Sequence, residues 1–118
     1  PVQNAPDLDA AYPITEEDLA LLFRTWELSV YIEDGVVLDA KDKTLRFNSD
    51  GSYEMITESG TTTGDWTTRL FAVESILVLN SNSGETLTFD IVELEESKLI
   101  LQSWQENVQI EEQFQPAD

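Results

Sequence analysis

The stretch Thr44–Met55, TLRFNSDGSYEM, determines how the rest of the chain is interpreted. Apolar side chains alternate with polar ones before the turn Asn48–Gly51, at Leu45 and Phe47, and the alternation resumes after the turn. Period-two alternation on both sides of an Asp-Gly turn is a strong signal for a β-hairpin. We therefore predict a hairpin here, with Leu45 and Phe47 facing the core.

Similar alternating runs, separated by polar turns, fill the chain on both sides of this hairpin. They lie near residues 25–33, 65–71, 73–79, 85–94, 98–104 and 108–114, and residues 36–38 suit either a short strand or a loop. Short strands at this spacing indicate an antiparallel meander that closes into a barrel or a sandwich. The sequence therefore predicts an all-β fold of about eight strands.

Three local features refine this prediction. Alternation in the first strand predicts one buried face, with Tyr31 on the opposite face; the buried face carries Trp26, Leu28, Val30 and Ile32. Apolar parity changes after Ile91, which predicts a β-bulge. The polar residues 59–64 are predicted to form a flexible loop.

The N-terminal part has a different composition. Proline-rich residues 1–14 predict a flexible tail or linker, and residues 15–118 are assigned to a single β-barrel domain. Thr15 and three following carboxylates favour a short helix over Thr15–Arg24. Its apolar face, at Leu19, Leu22 and Phe23, should pack on the sheet or close one end of the barrel.

Composition narrows the function. The 118 residues include 24 acidic and 6 basic ones, giving a net charge of −18, which opposes binding to nucleic acids or anionic membranes. No run approaches the roughly 18 apolar residues needed to cross a bilayer. Cysteine and histidine are both absent, so thiol chemistry, a Ser-His-Asp triad and the common zinc ligands are excluded. We expect no cofactor, no metal site and no catalytic residue.

The aromatic residues are the main candidates for a binding site. A barrel of about eight strands has room for packed side chains or for one small ligand. We predict that Trp26, Phe47, Tyr53, Trp66 and Phe89 line a pocket for an apolar or ring-shaped ligand, and that Arg69 or Arg46 contacts a ligand carboxylate. Alternatively, the aromatic residues fill the core, and Arg46 and Arg69 pair with abundant acidic residues. Trp104 has the opposite parity to Leu99 and Leu101, so it is predicted to face outward.

Two other kinds of site are weaker. Residues 48–54 superficially suggest a calcium loop, but they lack its register and its twelfth-position glutamate. Two facing carboxylates could hydrolyse a glycoside. With 24 acidic residues in the chain, some pair always qualifies, so this pattern carries little information.

The series of strand openings and turns resembles a known family. It comprises Thr25–Leu28, Thr44–Tyr53, Gly64–Trp66, Ser75–Leu79, Ile91–Leu94 and Ser97–Leu101. This series is similar to the bacterial lipocalin-like domains of small exported proteins and lipoproteins, over about Leu19 to Trp104. The resemblance implies a small lipocalin-like barrel with Trp26 packed near one end, acting as a container or binding module without catalytic residues. Thr25 stands where the family usually has glycine, and the sequence lacks the cysteine that carries lipid in a lipoprotein.

These observations lead to one leading hypothesis and two alternatives. We expect a non-enzymatic, monomeric lipocalin-like barrel that binds a small apolar ligand or serves as an accessory module. It would be exported to the periplasm or cell surface, or anchored there as a lipoprotein. One alternative is an acidic interaction module that binds a basic protein partner. The other is a carboxylate-based hydrolase.

Overall fold

The computed structural model describes residues 17–70 and 74–117. In it, the central hairpin forms as predicted. Gly51 N donates to Asn48 O at 3.1 Å, and the Asp50 carboxylate accepts from both the backbone N and the hydroxyl of Ser52, at 2.9 and 2.6 Å. These hydrogen bonds to its charged form lower the pKa of Asp50. Polar groups of the turn thus hydrogen-bond to one another. The polar side chains of residues 48–54, which superficially suggest a calcium loop, are explained by the hairpin turn.

Within the described residues, the chain forms nine strands in one antiparallel sheet. They are β1 Thr25–Glu33, β2 Val36–Leu38, β3 Lys43–Phe47, β4 Ser52–Thr57, β5 Gly60–Leu70, β6 Ser75–Ser81, β7 Thr86–Leu94, β8 Leu99–Gln105 and β9 Val108–Pro116. Strand β1 pairs with β3 at one edge and with β9 at the other, so β1 and β3–β9 close into a barrel of eight strands. Strand β2 pairs only with the end of β1. The predicted all-β barrel is confirmed.

The predicted helix Thr15–Arg24 is shorter than expected. Its first two residues lie outside the described residues, as does the predicted tail 1–14, and the observed element is a 3₁₀ helix over Asp18–Leu22. Phe23 N donates to Ala20 O, three residues back, and Arg24 O already accepts from Phe47 N of β3. Arg24 is therefore already hydrogen-bonded to the sheet, so the 3₁₀ helix ends after little more than one turn.

This 3₁₀ helix closes one end of the barrel. Leu22 is fully buried, and the Trp26 indole N–H donates to Leu22 O at 3.3 Å. The Trp66 indole N–H donates to Asn48 O at 3.0 Å, while its ring meets Phe47 edge-on at 5.7 Å between centroids. Both indoles at this end are hydrogen-bonded as well as buried, which is the arrangement that buried tryptophan needs.

The prediction of a loop over the polar residues 59–64 is wrong. Strand β5 begins at Gly60 and pairs with all of β4. The β-branched residues 61–63 suit a strand despite their polarity. Gly64 has a specific packing role here, because a Cβ at this position would meet Asn80 O of β6 closer than any real contact. The glycine allows β5 and β6 to approach where both line the barrel.

Two bulges change the direction of side chains. The bulge predicted after Ile91 is confirmed, since β7 shifts register against β8 between Ile91 and Glu93. A second bulge, in β1, was not predicted: Leu28 pairs with Phe114, and Val30 pairs with the very next β9 residue, Gln113. Ser29 is therefore extra, and its hydroxyl donates to Gln113 O at 3.1 Å.

The β1 bulge overturns the predicted faces of this strand. Beyond it, Tyr31 pairs with the buried Glu112 and Glu33 pairs with the buried Ile110. Directly paired residues of antiparallel strands share a face. Tyr31 and Glu33 therefore face the barrel interior, and Val30 and Ile32 do not share the face of Trp26 and Leu28.

Candidate functional site

The predicted aromatic residues are packed, and all except Phe89 lie at the end of the barrel that the 3₁₀ helix closes. Each of these side chains is at least nine-tenths buried: Trp26, Phe47, Tyr53, Trp66 and Phe89. They share one continuous core cluster with leucines of neighbouring strands. This burial supports the alternative interpretation, in which these residues fill the core.

The predicted cationic contact is placed elsewhere. Arg69 is exposed and pairs with Ile76, on the face opposite Trp66 and Leu70. Arg46 is also exposed, and its cross-strand neighbour on the outer face is Glu54. Neither arginine reaches the interior, so the structure does not bring Arg69 together with the aromatic residues. Trp104 is 62% exposed, which confirms its predicted outward position.

A different group of side chains meets at the opposite, open end. Tyr31 from β1, Lys43 from β3 and Glu112 from β9 all occupy inward positions, because Lys43 has the parity of Leu45 and Glu112 that of Phe114. The Lys43 ammonium donates to Glu112 Oε2 at 2.8 Å, and the Tyr31 hydroxyl donates to Glu33 Oε1 at 2.8 Å. We call Tyr31, Lys43 and Glu112 the lumen triad.

The triad is electrostatically asymmetric. The Glu112 side chain is only 7% exposed, whereas the Lys43 side chain is 21% exposed. Burial, then the hydrogen bond from Tyr31 to Glu33, then the charges of Glu33 and Glu112 raise the pKa of Tyr31 to about 12. The phenol therefore remains a neutral hydrogen-bond donor throughout the physiological pH range.

One cavity lies beside the triad, between β1 and the start of β3. It measures about 590 Å³ and, besides the triad, is lined by Leu28, Glu33, Leu38, Asp39, Lys41, Asp42, Thr57, Glu58 and Ser59. The opening exists because β1 pairs with β3 only through Thr25–Glu27 and has no partner on that side until its pairing with β2 begins at Tyr31. We call this space the acidic cavity, since five carboxylates and two ammonium groups line it.

A second cavity lies on the other side of the triad, between β7 and β8. It measures about 420 Å³ and adds to the triad Thr86, Leu87, Thr88, Phe89, Ser103, Trp104, Gln105 and Ile110. The ladder between these strands stops at the pair Asp90–Gln102, although both strands continue beyond it. The strands separate there, and we call the space the aromatic cavity.

Sequence reasoning missed the triad for two different reasons. Lys43 and Glu112 each interrupt an inward apolar parity, so a charged residue at a core position was a signal that could have been read. Tyr31 gave no such signal, since only the bulge turns it inward. Of the predicted site residues, Phe89 alone lines either of these two cavities.

Among residues 17–70 and 74–117, no group of three or more acidic side chains is arranged to hold a metal ion. The same part of the chain contains no helix that is long and apolar enough to cross a membrane. Within it, the ion pairs beyond Lys43–Glu112 include a looser one between Lys98 and Glu93, at 3.9 Å.

No family model matches this chain, and no curated protein matches it.

Proposed function

We propose that this protein is a non-enzymatic, lipocalin-like binding module that holds a small apolar or amphipathic molecule in the open end of its barrel. The observation that carries this proposal is the contrast between the packed interior of the closed end and the two cavities that adjoin the lumen triad at the open end. A space of about 560 Å³ also lies beside the 3₁₀ helix, but no residue of the buried core cluster lines it. Both cavities fall within the range of roughly 300–1,000 Å³ typical of small-molecule sites. The lining of the aromatic cavity combines apolar walls with a few converging polar groups, as such sites usually do, whereas the lining of the acidic cavity is mostly polar.

The lumen triad supports this function. A buried ion pair adds little stability compared with well-packed apolar residues of similar size. Lys43 and Glu112 nevertheless occupy interior positions that β-barrels usually fill with apolar side chains. A role toward a bound molecule accounts for polar groups at these positions better than packing does.

Binding of the neutral fluorophore N-phenyl-1-naphthylamine tests the proposal. The inward Ser103 pairs with Ile110 and lines the aromatic cavity, so Ser103→Phe should fill that cavity and weaken binding about tenfold or more. The matched control is Gln102→Phe on the neighbouring, outward position, which should bind like the parent chain. Equal binding by both variants, with unchanged melting temperatures, would contradict a lumen site.

The cellular setting belongs to the same proposal. The lipocalin-like resemblance motivates placement in the periplasm or at the cell surface, where the barrel would act as an accessory module. Fractionation of producing cells, with immunodetection of the chain, tests this placement. Recovery in the cytoplasmic fraction alone would contradict it.

A second function is favoured by strand β2. Its three residues, Val36, Val37 and Leu38, are exposed, and its outer edge pairs with no other strand of the described chain. Exposed strand edges accept an extended peptide as an added strand. Asp34 and Asp39 flank this edge, so a basic peptide suits it electrostatically.

A synthetic peptide of alternating lysine and valine tests this second function. We expect binding at low ionic strength that weakens strongly in high salt, because the attraction is screened. Val37→Lys should abolish binding, whereas Val92→Lys, at another exposed apolar position, should leave it intact. Salt-independent binding, or equal binding by the two variants, would reject β2 as the docking edge.

A further inference from the structure

The two cavities differ in chemistry although they share the lumen triad. Beyond the triad, no charged side chain of the described residues lines the aromatic cavity, and its inward apolar walls come from Leu87, Phe89 and Ile110. Beyond the triad, the lining of the acidic cavity contains four carboxylates, from Glu33, Asp39, Asp42 and Glu58, and one ammonium group, from Lys41. A molecule that spans both would have its apolar part on one side of the triad and its head group among carboxylates on the other.

The ammonium group of the lumen triad already has a carboxylate partner. Lys43 donates to Glu112 at 2.8 Å, and Tyr31 donates to Glu33 at 2.8 Å. A carboxylate head group entering the acidic cavity would therefore compete with Glu112 for the Lys43 ammonium. It would also approach the other carboxylates of the lining, within the field of a chain of charge −18.

We infer that the ligand is a cationic amphiphile, a protonated amine carried on an apolar or aromatic body. The ammonium lies among the carboxylates of the acidic cavity, and the body lies against the walls of the aromatic cavity. This inference rests on the proposed lumen-binding function and adds the sign of the ligand's charge. It excludes fatty-acid anions as preferred ligands.

Competition among three matched probes tests it. Decylamine, decanol and decanoate share one alkyl chain and differ in charge, and each is titrated below its micelle concentration against the fluorophore bound to the full chain at neutral pH. Decylamine should displace the fluorophore at a concentration about tenfold lower than decanoate, with decanol between them. High salt should narrow the difference, because it screens charges at a solvent-exposed mouth.

A pair of variants separates the cavity from general attraction to an acidic surface. Glu58→Gln removes a carboxylate from the acidic cavity and should weaken decylamine about two- to fivefold while leaving decanol unchanged. Glu106→Gln removes the same charge from the β8–β9 turn at the same end of the barrel, outside both linings, and should change neither.

The outcomes distinguish this inference from the function on which it rests. Equal displacement by all three probes, or tightest binding of decanoate, would overturn the cationic preference while lumen binding stands. Equal weakening of decylamine by the two variants would also overturn it, since the attraction would then be unspecific. Failure of the fluorophore and of all three probes to bind would reject lumen binding itself.

Discussion

The two ends of this barrel are built from the same strands but differ in how their interiors are filled. At the closed end, the largest side chains interlock beneath the 3₁₀ helix, and Trp26, Phe47, Tyr53 and Phe114 are almost fully buried. At the open end, the β1–β3 and β7–β8 ladders stop before the strands do, and a charged pair stands where apolar side chains would otherwise meet. Large buried side chains are therefore concentrated at one end, and the other end is where we propose that a ligand binds.

The largest difference should appear when apolar side chains are truncated at the two ends. Phe47→Ala at the closed end should lower the free energy of unfolding by about 3–5 kcal/mol, because it leaves a cavity in a packed core. Leu87→Ala at the open end, where the side chain is 36% exposed, should lower it by less than about 1 kcal/mol. Urea denaturation of both variants measures the contrast, and similar losses at both ends would refute it.

The effect of removing Lys43 on the stability of the fold should depend strongly on whether Glu112 is still present. Lys43→Met leaves Glu112 buried without its partner and should destabilise the fold by about 1–3 kcal/mol. The double variant Lys43→Met/Glu112→Leu should recover most of that loss, because no buried charge remains. A double variant that is less stable than the single one would show that the pair itself supplies stability, contrary to this account.

The close approach of β5 and β6 depends on Gly64. Adding a methyl group there forces β5 away from β6, so Gly64→Ala should cost about 1–3 kcal/mol although the alanine adds apolar surface. The adjacent outward substitution Thr63→Ser keeps the hydroxyl that accepts from the Asn82 side-chain amide, so it should change stability by less than about 0.5 kcal/mol. Thermal melting distinguishes them, and a Gly64→Ala variant that melts with the parent chain would contradict the close approach of these strands.

The smallest expected effect is the titration of Tyr31. Its pKa is raised to about 12 from an ordinary value of 10.0, so the folded chain holds this proton more tightly than the unfolded chain does. Stability should therefore fall as pH rises from about 10 to about 12, and Tyr31→Phe should make that fall shallower. Phenolate absorbance of the folded protein gives the direct readout: the variant should lack a step near pH 12. A parent chain whose tyrosines all titrate near 10 would contradict the partly buried, acid-flanked position of Tyr31.

The two bulges show how far the sequence alone could go. After Ile91 the apolar positions in the sequence move from odd to even residue numbers, so the sequence pattern alone predicts the bulge in β7. In β1, Val30 and Ile32 continue an apolar alternation that looks regular without a bulge. Only the register against β9 reveals that Ser29 is extra and that Tyr31 faces inward.

The site was less predictable than the fold for a related reason. Alternation and turn residues are local, so the hairpin at Asn48–Gly51 and most strands could be predicted. The cavities depend on where ladders between distant strands stop, as at the pair Asp90–Gln102, and no local pattern marks such a point. The aromatic residues suggested a pocket by their chemistry, yet chemistry alone does not separate a packed ring from one lining a space.

Mapping of amide chemical shifts during titration with N-phenyl-1-naphthylamine tests the central claim most directly. We predict shifts around Tyr31, Lys43, Phe89 and Glu112, with residues Leu45, Phe47 and Tyr53 of the closed end unchanged. Shifts centred on the closed end, or confined to the outer surface around Arg69, would contradict a barrel that is filled at one end and open to a ligand at the other.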